Sequence, residues 1–236
     1  MTVRSVLALT AATVGVLMLA LAGCGPSTAG PSTTDLRTVG AVSAVRLASA
    51  GSLTIEHGDV PSLTVTAPEN VLPHVTSDVR DGVLVLDVDS AWVRTGGVTY
   101  HLVVDDLDEI AVDGSGEVAA DAASGDRVAI TVRGSGHVEV ARVTAPDVTV
   151  TVAGSGDVSL AGRTDHQRVL ITGSGTYAAE AMTSRTADVD VAGSGCAELD
   201  ASEALTVAIA GSGSVTHTGQ AVVTSRVQGS GRVVGR

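Results

Sequence analysis

The sequence contains no phenylalanine and no lysine: one Trp and two Tyr are its large aromatics, and all 14 basic residues are arginine. That usage points to a GC-rich bacterial genome. Asp and Glu number 26, and the formal net charge is −12. Such a chain has no electrostatic grip on nucleic acid or anionic lipid, so no nucleic-acid partner is expected. The histidines (His57, His74, His101, His137, His166 and His217) include no His-x-x-x-His pair, which excludes zincin chemistry. No Gly-Lys-Ser/Thr or helical pattern follows any glycine motif, which excludes a phosphate-cradling loop. The aspartates lack the Gly-Gly-x-Gly-x-Asp period of calcium-binding β-rolls.

The chain instead repeats Gly-Ser-Gly seven times. The first glycines are Gly114, Gly134, Gly154, Gly173, Gly193, Gly211 and Gly229, stepped by 20, 20, 19, 20, 18 and 18 residues. A period of this length marks a repeat architecture. Two residues before each first glycine stand Val112, Val132, Val152, Ile171, Val191, Ile209 and Val227. Two after each second glycine stand Val118, Val138, Val158, Tyr177, Ala197, Val215 and Val233. Small or polar residues fill most alternate columns. Period-two alternation of β-branched residues predicts strands on both sides of the motif, and the three-and-four spacing of a helix is missing. One copy cannot bury its apolar face alone, so the copies must stack. The predicted fold is all-β: a right-handed parallel β-solenoid of about seven 18–20-residue coils with an N-terminal β-rich cap. Strict alternation turns both glycines of each motif inward, at a corner where missing side chains let the strand bend. The serines then form a ladder of hydroxyls, one per coil.

Four regions follow. Residues 1–23 read as an export signal: Arg4 supplies the positive start, and the uncharged apolar run 6–21 is short for a membrane span, which takes about 20 residues. The run ends in Leu21-Ala22-Gly23-Cys24, which resembles the bacterial lipoprotein box. That resemblance implies cleavage before Cys24 and its acylation, an anchor that does not span the bilayer. Residues 24–35, rich in Gly, Pro, Ser and Thr, are expected to be a flexible tether. Residues 36–108 are the cap region. Within it, Val45-Arg46-Leu47 and Leu53-Thr54-Ile55 around Gly51-Ser52 look like a degraded coil, 62–67 is a strand, and 68–73 can hold one helical turn. Asp81-Gly82, between 75–80 and 83–88, is the strongest hairpin signal in the chain. A second hairpin is expected at Gly96-Gly97, between Val93 and the run 98–104. Trp92 and Tyr100 flank it and are expected to plug the first coil rather than stack on a sugar. Residues 109–236 are the Gly-Ser-Gly solenoid. No cap is visible beyond the last motif: either Arg232 and Arg236 discourage edge pairing there, or another chain covers it.

A family resemblance extends over about residues 41–234. It is carried by Leu53-Thr54-Ile55-Glu56-His57-Gly58-Asp59, Leu63-Thr64-Val65, Glu69-Asn70-Val71-Leu72-Pro73, Asp81-Gly82-Val83-Leu84 and the serial Val-x-Gly-Ser-Gly-x-Val copies. The chain resembles the bacterial extracytoplasmic family described as putative auto-transporter adhesin, head GIN domain. The resemblance implies a β-helix-like solenoid, often lipid-anchored or secreted, with no established activity. One departure stands near the last coil, where His217-Thr218-Gly219-Gln220-Ala221 replaces the family's Tyr-x-Gly-x-Pro, so no shared functional site is carried onto these positions.

The strongest candidate for chemistry is the column Glu117, His137 and Asp157, with Glu139 on the same face. Stacking brings adjacent members to about 5 Å, and such a set can hold a divalent metal. A solvated polar ladder is the reading adopted, so no metal or cofactor is assigned. No catalytic constellation is assigned either, since the serines repeat without a general base beside them. Asp113 with Arg133, and Arg168 with Asp188, are expected to pair across coils. With Cys24 acylated, Cys196 is an unpaired, outward-facing thiol.

The function expected is that of a noncatalytic binding, adhesion-like or scaffolding protein, lipid-anchored on the extracytoplasmic face of a bacterial membrane. Its partner would be an envelope glycan or protein. The alternative is an envelope carbohydrate-active enzyme using the acidic/His column. Ice or mineral binding through Thr149 and Thr151 lacks sustained threonine columns.

Overall fold

Each coil is built by the same local rule. A strand of alternating β-branched residues runs into a Gly-Ser-Gly corner, and a second strand leaves it. The computed structural model describes residues 30–89 and 97–236. The expected export signal, Cys24 and the start of the tether, together with Trp92, Val93 and Gly96, lie outside the described residues. The cap strands are β1 (Ser32–Arg37), β2 (Ala44–Leu47), β3 (Ser52–His57), β4 (Ser62–Pro68), β5 (Val75–Arg80), β6 (Val83–Val88) and β7 (Thr99–Val104). A 3-10 turn at Leu72–His74 is the expected helical turn. The coils comprise β8 (Glu109–Gly114), β9 (Glu117–Ala120), β10 (Ala123–Ser124), β11 (Arg127–Gly134), β12 (His137–Gly154), β13 (Asp157–Gly173), β14 (Thr176–Ala179), β15 (Met182–Gly193), β16 (Cys196–Asp200), β17 (Ala204–Gly211), β18 (Ser214–Thr218), β19 (Val222–Gly229) and β20 (Arg232–Gly235).

Two long ladders result. The first stacks β5, β6, β2, β8, β11, the end of β12, the end of β13, β15, β17 and β19. The second stacks β1, β4, β7, β3, β9, the starts of β12 and β13, β14, β16, β18 and β20. Beyond the antiparallel cap pairs every step is parallel. A short third ladder links β10 to the middles of β12 and β13 and the start of β15. The degraded coil is real: β2 stacks on β8 and β3 on β9. Seven corners enclose six full turns, so the solenoid makes about six turns rather than the expected seven coils.

The inward columns form one continuous core. Ile110, Ile130, Val150, Val169, Val189 and Val207 are all within 1% of full burial, as are Val118, Val138, Val158, Tyr177, Ala197 and Val215. Each such Val or Ile contributes roughly 1.5–3 kcal/mol of burial. The uneven period has a structural cause. A bulge places Ala141 and Arg142 of β12 opposite one residue of β13, where the step falls to 19. Later the return segment loses two residues. Ala179 pairs with Leu199, twenty positions on, yet the Ser202 N–H donates to Ser184 O, eighteen positions back.

Three further expectations are corrected. Only the second glycine of each motif points inward. The first has φ between 114° and 135°, which breaks the strand alternation and swings that position out of the core. The bond that climbs the corner comes from the serine backbone: Ser135 N–H donates to Gly114 O at 2.8 Å, and Ser155 N–H to Gly134 O at 2.8 Å. The serine side chains are exposed. The run 98–104 is not the hairpin arm expected of it, because β3 and β4 occupy both edges of β7; the other arm, at Val93, lies outside the described residues. Residues 32–35, assigned to the tether, are strand, since β1 pairs antiparallel with β4.

Candidate functional site

Side chains on a flat parallel ladder project side by side, so register decides which groups meet. Glu117, His137 and Asp157 stand in register on the outer face of the second ladder, continued by Thr176, Cys196, Ser214 and Arg232. Glu139 lies one column over, between Ala119 and Ser159. Among the described residues, no three His, Cys, Asp or Glu side chains converge to hold a metal ion. The ladder keeps this column parallel, and nothing curls it into a chelate. Cys196 is an exposed free thiol that accepts a hydrogen bond from Ser214 Oγ at 3.3 Å.

The first ladder carries the predicted cross-coil pairs. Arg133 Nη1 meets Asp113 Oδ1 at 2.9 Å, and Arg46 Nε approaches Asp113 Oδ2 at 3.7 Å, tying the degraded coil to the coils above. Arg168 Nη2 lies 3.7 Å from Asp188 Oδ2. The sequence reading missed His166, whose Nε2 is 3.5 Å from the same carboxylate and whose Nδ1 is 2.9 Å from Thr186 Oγ1. The signal was in the register: His166 and Thr186 each stand seven residues before the first glycine of their corner, Gly173 and Gly193. Carboxylate, imidazole and hydroxyl follow one another here, but the Thr186 hydroxyl donates onward to Asp165 O at 3.4 Å. The hydroxyl is a link in a surface network, not a nucleophile being deprotonated. On the third side, Arg185 holds Glu203 in a two-pronged pair at 2.9 and 3.1 Å, which draws the Glu203 carboxyl below its usual range.

Two tyrosines are withdrawn from any ligand. Tyr100 is fully buried, as the plug reading requires, and burial pushes its phenol up to about 12, partly opposed by the Ser49 hydroxyl. Tyr177 donates to Gln167 Oε1 at 2.8 Å, and Gln167 Nε2 donates to Ser184 Oγ at 2.7 Å and Asp200 O at 3.1 Å. Complete burial raises the Tyr177 phenol further still.

What faces outward is a flat surface. Thr131, Thr149, Thr151, Leu170 and Thr172 project from successive coils of the first ladder, and Leu170 is 42% exposed. Beside them lies a shallow trough of about 290 Å³, floored by Ala192, Ala208 and Ala210, with Asp190 at one side and Arg226 and Gln228 at the other. It offers a carboxylate, a guanidinium and an amide across a small-residue floor.

A family model described as "Putative auto-transporter adhesin, head GIN domain" matches residues 42–221. The chain belongs to this family. Among solved structures similar to this GIN-domain chain is a putative adhesin from Bacteroides fragilis NCTC 9343, with TM-score 0.81 and 20% identity, covering 87% of this chain and 97% of that one. A putative adhesin from Parabacteroides merdae ATCC 43184 matches with TM-score 0.70 and 20% identity, over 88% and 97% of the two chains. A structure described as a putative lipid binding protein from Parabacteroides distasonis ATCC 8503 matches with TM-score 0.72 and 20% identity, again over 88% and 97%. At such identities the likeness is one of fold. No curated protein matches the GIN-domain chain.

Proposed function

We propose that this protein is a noncatalytic binding module of the bacterial envelope, held at the outer face of the membrane by acylated Cys24. It presents the flat outer face of the first ladder to an extended glycan or protein partner. The observation that carries the reading is the in-register Thr/Leu170 surface beside the Asp190–Arg226 trough. A rigid ladder repeats its outward groups at about 4.8 Å, which suits a ligand that is itself extended. Membership of a family described as adhesin-like supports binding over turnover. The lipoprotein-box motif supports the anchor, and the seven residues from 25 to 31 give a tether of up to about 25 Å before β1 begins.

A binding screen against glycans and cell-wall fragments, with mass spectrometry of each incubated fragment, tests the reading. Expected is retention of a fragment with unchanged mass, weakened at least tenfold by Leu170→Asp or Arg226→Ala. A cleaved product whose formation dies with Glu117→Gln would replace the reading with the enzymatic one. Metabolic labelling with a fatty acid, lost in Cys24→Ser, tests the anchor separately.

A further inference from the structure

A sheet that stops leaves its last strand with open N–H and C=O groups. Within the described residues, both ladders stop at both poles. Among the described residues, β19 pairs only with β17 and β20 only with β18, while at the opposite pole β5 pairs only with β6 and β1 only with β4. Six of the eight large hydrophobics exposed among the described residues lie on these four strands: Leu36 and Val79 at one pole, Val222, Val223, Val227 and Val234 at the other. The two N-terminal edge strands form one end surface, since Arg37 of β1 donates to Val75 O and Ser77 Oγ of β5, both at 3.0 Å.

The poles also differ in sign. The last coil, residues 222–236, carries Arg226, Arg232 and Arg236 and no acid, in a chain of net charge −12. Arg236 is engaged with Glu180 at 3.0 Å; the other two have no acidic partner on their own coil. The end surface at the other pole, β1 with the hairpin 75–89, carries Asp35, Asp78, Asp81, Asp87 and Asp89 against Arg37 and Arg80.

We propose that the basic C-terminal pole docks onto the acidic N-terminal pole of a second copy of this chain. Both poles terminate the same two ladders; beyond β2 the first adds β6 and β5, and beyond β3 the second adds β7, β4 and β1, so β1 stands one rung of about 4.8 Å further out and meets the docking copy first. Strand directions then set β20 parallel to the partner copy's β1, with β19 facing its β5 in the antiparallel sense across the remaining rung. A tail-to-tail pair would instead bring two sets of arginines together. The head-to-tail contact is heterologous and does not close, so copies add in a row. If Cys24 anchors each copy, such a row lies along the membrane; the contact itself does not depend on the anchor.

Sedimentation velocity of the full chain in non-ionic detergent tests this with two variants, Arg226→Glu/Val227→Lys at one pole and Leu36→Asp/Val79→Asp at the other. Circular dichroism verifies that each retains its β signal. The unaltered chain is expected to form a concentration-dependent series extending past the dimer and shrinking at about 0.5 M salt, where the screening length falls to a few ångströms. Each variant alone is expected to be monomeric, and their equimolar mixture to give a dimer and nothing larger. Should either double variant misfold, Arg232→Glu on exposed β20 is expected to weaken association at least fivefold. A chain that is monomeric at every concentration overturns the proposal. So does a Leu36→Asp/Val79→Asp variant that still dimerises by itself, which would mean tail-to-tail pairing.

Discussion

A methyl group added at Gly195 would lie 2.6 Å from Ile171 Cγ2 and 2.7 Å from Gly175 O, and neither can retreat inside a packed corner. Gly195→Ala is therefore expected to cost about 2–4 kcal/mol in chemical denaturation, while Ser194→Ala, one residue away and exposed, costs less than about 0.5 kcal/mol. Equal losses would mean that the corner yields as a whole. The tyrosines add a pH dependence. Both phenols hold their protons more tightly folded than unfolded, so the stability they contribute is complete below their ordinary value of about 10. It declines as pH rises from there toward 12, where Tyr100 titrates. Melting temperature is expected to fall across that window, and less steeply in Tyr100→Phe. At this scale the sequence is readable where a residue obeys the strand period. It misleads at the first glycine of each corner, because counting by twos assumes extended φ. Gln167 stayed hidden for another reason: its burial depends on Tyr177, which arrives from a different wall of the coil.

The bulge at Ala141 and Arg142 makes strands behave unequally toward deletion. Removing Arg142 shortens an exposed irregularity and passes the one-residue mismatch to the next pair of coils, so a folded protein with a loss of about 1–2 kcal/mol is expected. Removing Thr151 turns the residues on one side of it to the opposite face and exposes the core column, and that variant should not fold. Soluble expression and circular dichroism of the pair check the contrast. Elements announced by local chemistry were legible beforehand: Asp81 and Gly82, with φ of 52° and 81°, form the predicted tight hairpin. The expected hairpin at Gly96-Gly97 looked similar in sequence. Its β7 arm was claimed instead by long-range competition, from partners more than thirty residues away in β3 and β4.

Across the whole molecule, burial falls off at one end. Every residue of β19 is exposed, whereas β13 and β15 each lie between two neighbouring coils. In the undocked monomer, such as the Arg226→Glu/Val227→Lys variant, hydrogen exchange should therefore be several orders of magnitude slower in the central coils than in β19 and β20. In the unaltered chain, protection of β19 and β20 that rises with concentration would mean that a second copy covers this pole. Architecture was readable from the repeat because stacking is the one way for these copies to bury their valines. The ligand was not, because a flat face recognises through the spacing of many weak contacts and carries no single diagnostic motif. The predicted column of Glu117, His137 and Asp157 shows the same limit: register brought the residues into line, and the flatness of the ladder kept them from converging. Since the backbone of each coil pairs only with the coils on either side of it, the molecule is also a measuring rod with a fixed unit. Lineages that gain or lose one Gly-Ser-Gly segment change its reach by one rung of about 4.8 Å, leaving both poles and every remaining corner as they were.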